Sequence, residues 1–155
     1  LTGGFLPMGI TLCKEKIFQS FIDDSPRKTF WHGHSFTANP LGCAAANASL
    51  DLLEKEPHKY LSFEEKHLSH LIKFKKLPYI KKIRVSGTIA AFDLEIGNNK
   101  GYFNNIGKEI KILAMEKGLF IRPLGNVIYL LPPLCITDDQ LEKSYWIIRQ
   151  ILDNL

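Results

Sequence analysis

The chain places a glycine between two histidines just before a helix of small residues, in residues 30–50, FWHGHSFTANPLGCAAANASL. Gly33 lets the backbone approach a ligand closely, and Ser35 offers a hydroxyl beside backbone amides. A turn of this kind is suited to holding a phosphate oxygen. The same residues are also typical of a serine turn whose hydroxyl makes only local hydrogen bonds. The pattern leaves both interpretations open.

Two histidine pairs raise the question of a metal site. His32 and His34 are two residues apart, and His67 and His70 are three apart. A histidine-based metal site needs a third protein ligand, and neither pair has one at a workable spacing. The sequence therefore predicts no metal centre. It also lacks a recognisable serine–histidine–aspartate triad, a nucleotide-binding glycine fingerprint and a pair of catalytic carboxylates.

Arg122 is a further candidate for a functional residue. It interrupts an apolar run that reads as a strand, LFIRPLGNVIYLLPP at residues 119–133, where a guanidinium needs a charged partner. Its planar fork of donors fits a carboxylate through two parallel hydrogen bonds. That carboxylate can belong to a structural Asp or Glu or to a substrate, and the residues alone do not decide between the two.

The elements that must position the first loop are predicted from local pattern. Residues 6–13 are an apolar run that predicts a buried strand, and residues 14–21 predict a short helix. Asn39 is a suitable N-cap and Pro40 a favourable first residue, so a helix is predicted from Pro40 to about Glu54. The many glycine and alanine residues of this helix predict close packing against a neighbouring backbone.

The second half of the chain is predicted to alternate helices and antiparallel strands. A helix over about 58–76 precedes strands with a bend or bulge at Gly87, and a further helix stops at Gly118 in a left-handed conformation. A β-hairpin is predicted over residues 119–131 with its turn at Gly125 and Asn126, and a capping box, TDDQ, starts the last helix. The predicted apolar faces comprise Leu61, Leu68, Leu71 and Ile72; Ile83, Val85, Phe92, Leu94 and Ile96; Ile106, Ile110, Leu113 and Ala114; and Leu141, Tyr145, Ile148 and Leu152.

The composition is that of an ordinary globular protein, with 45% hydrophobic residues, 23% charged residues and a net charge of +4 over 155 residues. Basic residues gather at residues 73–84, KFKKLPYIKKIR, where a helix end meets a strand start and lysines usually form a solvated rim, so nucleic-acid binding is not favoured. Cys13, Cys43 and Cys135 form no paired motif, which predicts neither disulfides nor zinc and fits a reducing cytoplasm. No apolar run approaches the ~18 residues of a membrane span.

Three segments together resemble one known family. LTGG at residues 1–4, the segment 32–50 and IRPLGNVIYLLPP at residues 121–133 occur in this order in class III aminotransferases, which depend on pyridoxal phosphate. The last two segments are most similar to the branch of the family that serves biotin biosynthesis. The resemblance implies an α/β fragment of a fold-type I transferase: residues 1–54 as the end of the large cofactor-binding domain with its connecting helix, and residues 55–155 as the small C-terminal α+β domain.

The resemblance also implies roles for individual residues. The lysine that forms the Schiff base with the cofactor would precede Leu1, so this chain is expected to contain no catalytic lysine and to be inactive alone. His34 and Ser35 would bind the cofactor, Ser35 through the phosphate, in the active site of the partner subunit of a homodimer. Gly33 would line the substrate channel, and Arg122 would bind the carboxylate of the keto acid.

Three alternatives stay open at this point. Biotin-branch enzymes that take the amino group from S-adenosylmethionine often have proline in place of His34, whereas relatives with other donors have GHS or GHT, so the amino donor is open and another class III omega-aminotransferase is an alternative. A small non-catalytic α+β association module is the second. The third is an anion-binding or nucleic-acid-binding module that uses residues 73–84.

Overall fold

The computed structural model describes residues 1–57, 61–96 and 105–155. The chain separates into two compact units, Leu1–Pro57 and His58–Leu155. The helices are α1 (Glu15–Gln19), α2 (Pro40–Lys55), α3 (Phe63–Leu71), α4 (Ile106–Glu116) and α5 (Asp138–Leu152), with short 3-10 helices at Pro26–Lys28 and Ile72–Lys76. The strands are β1 (Ile80–Ser86), β2 (Ile89–Leu94) and β3 (Val127–Leu130).

The first unit consists of α1, α2 and irregular chain. Both helices lie where they were predicted, and the Asn39 side chain caps α2 by accepting hydrogen bonds from the N–H groups of Leu41 (2.9 Å) and Gly42 (3.5 Å). The strand predicted over residues 6–13 is wrong. An apolar run becomes a strand only when another strand pairs with its backbone groups, and residues 1–57 contain no strand.

The second unit is built on a three-stranded antiparallel sheet in the order β1-β2-β3. Gly87, with φ +56°, lies in the tight turn that joins β1 to β2, so the bend predicted there is a hairpin turn. The register irregularity lies earlier, between Lys81 and Arg84, where Lys82 adopts φ +49°. In this part of the chain, as in the rest of the described residues, no helix is long and apolar enough to span a bilayer.

The apolar face predicted for α5 is confirmed. The helix begins with the predicted capping box: the Thr137 hydroxyl accepts from the Gln140 N–H (3.2 Å), and the Gln140 side chain accepts from the Thr137 N–H (3.0 Å). This start sets the rotation of the helix, and all of the predicted apolar positions are buried, namely Leu141, Tyr145, Ile148 and Leu152. They pack into a core shared by the sheet and the helices of this unit.

Helix α4 follows its prediction at three of the four apolar positions. Ile110 and Ala114 are fully buried and Ile106 is half-buried, whereas Leu113 is exposed. The helix ends before Gly118, which has φ +80°, the left-handed conformation predicted for its stop.

Helix α3 is shorter than predicted and buries a different face. Residues 58–60 of the predicted helix lie outside the described residues, and a 3-10 helix follows Leu71. The prediction of which side is buried was wrong because it assigned His67, as a polar residue, to the solvent side. His67 lies in the middle of the buried side. The buried side chains are Phe63, His67, Leu71 and Phe74, whereas Leu61, Leu68 and Ile72 are exposed.

His67 is fully buried and both of its ring nitrogens are hydrogen-bonded. Nε2 lies 3.1 Å from the Thr88 carbonyl oxygen, and Nδ1 lies 2.6 Å from the Tyr145 hydroxyl. Because a carbonyl only accepts, Nε2 carries the proton and Nδ1 accepts from the hydroxyl. Burial lowers the pKa of His67 and raises the pKa of Tyr145. A neutral imidazole therefore joins α3, the β1–β2 turn and α5.

We expect the free energy of unfolding to decrease as the pH falls below 6.5, the ordinary pKa of histidine. The folded pKa of His67 is lower than the unfolded one, so the unfolded chain binds more protons in this range, and the stabilisation is complete only above it. Urea unfolding at several pH values measures the slope. His67→Gln should reduce the slope, leaving the part due to His70, whose pKa burial also lowers. An unchanged slope in His67→Gln would contradict the expectation.

Candidate functional site

The loop predicted to hold a phosphate ends in a hydrogen-bonded turn before α2. The His34 N–H donates to the Thr37 hydroxyl oxygen (3.1 Å), and the Thr37 N–H donates to the His34 carbonyl (2.9 Å). The Phe36 N–H donates to His34 Nδ1 at 3.2 Å. His34 and Thr37 therefore close the turn, and because His34 Nδ1 accepts from the Phe36 N–H, the ring proton is on Nε2, where it is available as a donor.

Ser35, within this turn, has two unused donors. In the part of the chain that the structure describes, neither its hydroxyl nor its backbone N–H has a hydrogen-bond partner, and the residue is exposed. The local hydrogen bonds that a serine turn would make are made by its neighbours instead. A hydroxyl and an amide on one exposed residue are the donor set that a phosphate oxygen needs.

Gly33 and His34 line an open cleft of about 900 Å³ in the first unit. A Cβ added to Gly33 would meet only the Thr37 hydroxyl oxygen, at 3.9 Å, so the space beside this glycine is open. Ser35 does not line this cleft. The other lining residues are His32 and residues from two segments, 6–11 and 36–42.

The histidine pairs do not assemble a metal site in the described residues. Both ring nitrogens of His67 are already used, and His34 uses one nitrogen within its turn. Residues 1–57, 61–96 and 105–155 contain no group of three His, Cys, Asp or Glu side chains able to hold a metal ion.

The basic segment at residues 73–84 is partly neutralised inside the second unit. Arg84 lies 2.7 Å from one carboxylate oxygen of Asp93, and Lys82 lies 3.3 Å from the other. Asp93 is nearly buried, on the strand face that simple alternation assigns to solvent. A buried carboxylate requires cationic partners. The sequence signal that was missed is therefore the excess of cationic residues on the neighbouring strand.

Arg122 belongs to the second unit and lies on an irregular segment. The turn predicted at Gly125 and Asn126 is present, because Leu124 and Val127 form an antiparallel bridge across it. The first strand of the hairpin predicted over residues 119–131 is wrong, because only Val127–Leu130 forms a strand. The arginine therefore follows a buried residue, Ile121, but is itself outside the sheet.

The Arg122 guanidinium is exposed and has no carboxylate partner or hydrogen bond in the described residues. It borders a cleft of about 300 Å³ whose lining is otherwise apolar apart from Tyr129 and Ser144. The sequence left two partners open for Arg122, an internal Asp or Glu and a substrate carboxylate. Among the described residues, no Asp or Glu pairs with Arg122.

The backbone on both sides of Arg122 is held in place. Ile121 is buried before it, and after Pro123 a tight turn ends at the buried residue Asn126. Asn126 Nδ2 donates to the Leu94 carbonyl (2.9 Å), and the Asn126 carbonyl accepts from the Leu94 N–H (2.8 Å). Sequence reasoning treated Asn126 only as a turn residue. The missed signal is that an amide side chain within an apolar run must find its hydrogen bonds inside the protein.

Residues 1–152 match the family described as aminotransferase class III. The chain belongs to the class III aminotransferases. The resemblance predicted from the three segments is therefore confirmed. This aminotransferase chain is 46% identical over 155 residues to adenosylmethionine-8-amino-7-oxononanoate aminotransferase from Synechococcus elongatus, covering 100% of this chain and 36% of the relative. The protein of the same name from Geobacter sulfurreducens is 39% identical over 153 residues, with 92% and 33% covered.

Solved structures agree with this family assignment. A crystal structure of adenosylmethionine-8-amino-7-oxononanoate aminotransferase from Methanocaldococcus jannaschii superposes with a TM-score of 0.84 at 31% identity, covering 96% of this chain and 36% of that one. An omega transaminase from Pseudomonas jessenii shares the fold, with a TM-score of 0.72 at 22% identity. The aminotransferase chain thus spans about a third of the length of the relatives it matches. The roles of Gly33, His34, Ser35 and Arg122 stay predictions.

We expect Asn126→Ala to lower the free energy of unfolding of the second unit by about 1–3 kcal/mol, because it removes a buried side-chain donor to the Leu94 carbonyl. Urea denaturation measures the change. The matched control is Asn154→Ala, since Asn154 Nδ2 also donates to a backbone carbonyl, that of Gln150 (2.6 Å), but at an exposed site. This control should cost less than about 0.5 kcal/mol. Equal losses in the two variants would show that Asn126 does not anchor the turn.

Proposed function

We propose that this chain forms the C-terminal part of a pyridoxal-phosphate-dependent aminotransferase that transfers an amino group to the keto acid 8-amino-7-oxononanoate in biotin biosynthesis. Residues 1–54 belong to the end of the large domain with its connecting helix, and residues 55–155 form the small domain. The names of the Synechococcus and Geobacter relatives support this choice of substrate. The observation that carries the proposal is the exposed guanidinium of Arg122, which has no partner among residues 1–57, 61–96 and 105–155 and stands on a backbone held from both sides.

Arg122 binds the carboxylate of the keto acid. A guanidinium donates two parallel hydrogen bonds to a carboxylate, which fixes both the position and the orientation of the bound acid. The apolar lining of the cleft beside Arg122 favours the hydrocarbon part of such a substrate, because its burial removes apolar surface from water. An acid with an unbranched apolar chain meets both conditions.

The first unit supplies groups that suit the cofactor. Pyridoxal phosphate, on which class III aminotransferases depend, provides the electron sink and carries the amino group between substrates. The hydroxyl and N–H of Ser35 donate to its phosphate, His34 Nε2–H is a further donor to the cofactor, and Gly33 leaves room for substrate.

The proposed assembly is a homodimer in which the loop at residues 33–35 reaches the cofactor of the partner subunit. Exposed apolar side chains near this loop support a protein partner for the first unit, since Trp31 is 80% and Phe36 is 75% exposed. The exposure of Ser35 is also what a residue needs in order to act in another subunit.

Arg122→Ala in the complete aminotransferase should weaken keto-acid binding by about 1.5–3 kcal/mol, or on the order of ten- to a hundredfold, because it removes a charge-assisted two-point contact. Arg122→Lys should recover only part of this loss, since it keeps the charge without the fork. Substrate titration and thermal unfolding are measured together. Arg149→Ala is the control, because Arg149 has an internal partner, Asp153, at 2.9 Å, and it should leave substrate affinity unchanged. A lower unfolding midpoint with unchanged affinity in Arg122→Ala would make Arg122 a structural residue instead.

Ser35→Ala should weaken the binding of pyridoxal phosphate by roughly ten- to a hundredfold, because a hydrogen bond to a charged phosphate is lost. Binding of pyridoxal, which has no phosphate, should not change, and Ser35→Thr should restore most of the affinity. Equal losses for pyridoxal and pyridoxal phosphate would place Ser35 away from the phosphate.

Subunit mixing then tests the action of Ser35 in the partner subunit. If each site combines Arg122 of one subunit with Ser35 of the other, mixed dimers of Ser35→Ala and Arg122→Ala contain one intact site. At cofactor and keto-acid concentrations low enough that each variant alone binds poorly, random mixing of the two variants should then restore roughly a quarter of the sites. No gain of activity on mixing would mean that Ser35 serves its own subunit.

A further inference from the structure

We propose that Gly107 is a positioning residue for the keto-acid site. Its lack of a side chain allows the first turn of α4 to pack directly on the backbone turn that follows Arg122, and this contact fixes where the guanidinium stands. The inference rests on the proposed role of Arg122 and extends that role to a residue on a different element.

The contact at Gly107 is a backbone contact. Gly107 is buried, and a Cβ at this position would overlap the carbonyl oxygen of Gly125 and lie 2.9 Å from Cβ of Pro123. Both neighbours lie within residues 123–126, the turn that begins directly after Arg122. A carbonyl oxygen and a proline ring cannot swing aside as the end of a flexible side chain can, so the whole turn or the helix would have to move.

The turn itself has little freedom to adjust. Gly125 has φ +60°, and Leu124 and Val127 exchange two backbone hydrogen bonds of 2.9 Å each. Asn126 ties the end of the turn to Leu94 in β2. A displacement forced at Gly107 is therefore carried to the other end of the turn, where Arg122 precedes Pro123.

Gly107 differs in kind from the other glycines that border the described elements of this unit. Gly87 and Gly118 have positive φ and nothing within 4 Å of an added Cβ, so they serve the backbone conformation. Gly107 is the second residue of α4 and has no positive φ, so its backbone conformation does not require glycine. The requirement at Gly107 is therefore space for the turn.

Gly107→Ala is the direct test in the complete aminotransferase. The turn must shift, and a two-point contact is sensitive to shifts of about 1 Å, so KM for the keto acid should rise about ten- to a hundredfold while kcat at saturation changes by less than about threefold. The matched control is Lys108→Gly, which weakens the same helical turn at an exposed position. It should lower the unfolding midpoint without changing KM.

A double-mutant cycle with Arg122→Ala decides whether the effect passes through the guanidinium. In the Arg122→Ala background, Gly107→Ala should raise KM no further, and this result would support the inference. If Arg122→Ala weakens substrate binding but Gly107→Ala does not, or if the two effects add, the inference is overturned and the proposed function stands. If Arg122→Ala leaves binding unchanged, the proposed function fails and the inference fails with it.

A second variant covers the case in which Gly107→Ala does not fold. Asn126→Ala removes the side-chain hydrogen bond to the Leu94 carbonyl and keeps the backbone one from the Leu94 N–H, so the turn is held less tightly to β2 and can shift from α4 to accept the added methyl group. Gly107→Ala in this background should give a higher KM than Asn126→Ala alone. Equal KM values in these two proteins would overturn the inference.

Discussion

The paired hydrogen bonds between Asn126 and Leu94 join the Arg122 segment to β2, the central strand of the sheet. A guanidinium selects a carboxylate by orientation only when its own backbone is held, because a mobile arginine contributes charge without geometry. The sheet supplies that support from one side of the turn, and α4 supplies it from the other at Gly107. The packing of the sheet and α4 therefore determines where the backbone of the Arg122 segment lies.

The sheet is in turn supported by a polar contact in the interior. His67 joins α3 to the β1–β2 turn through Thr88 and to α5 through Tyr145. Glu64 holds the same turn by accepting from the Gly87 N–H at 2.6 Å. Burial lowers the pKa of the imidazole and so favours its neutral form, which can donate on one side and accept on the other. The network thus orients three elements that apolar contacts alone would leave free to slide.

The two units differ in what they bury. The second unit has a continuous apolar core, whereas Ala46 is the one fully buried apolar side chain among residues 1–57. Leu12 and Phe5 of the first unit are 90% and 87% exposed. Large apolar side chains with this exposure are typical of surfaces that other protein segments cover. This agrees with a chain that spans about a third of the length of its aminotransferase relatives.

Short-range interactions were predictable from the sequence because both partners lie within a few residues of each other. The Asn39 cap, the Thr137 capping box and the left-handed stop at Gly118 are of this kind. The three segments that resemble the family were also readable without a structure. Only the tertiary structure decided that residues 6–13 form no strand, that His67 is interior, and that Asn126 and Gly107 hold the Arg122 turn. Each of these depends on a partner distant in sequence or on its absence, and neither periodicity nor residue type specifies which backbone comes close in space.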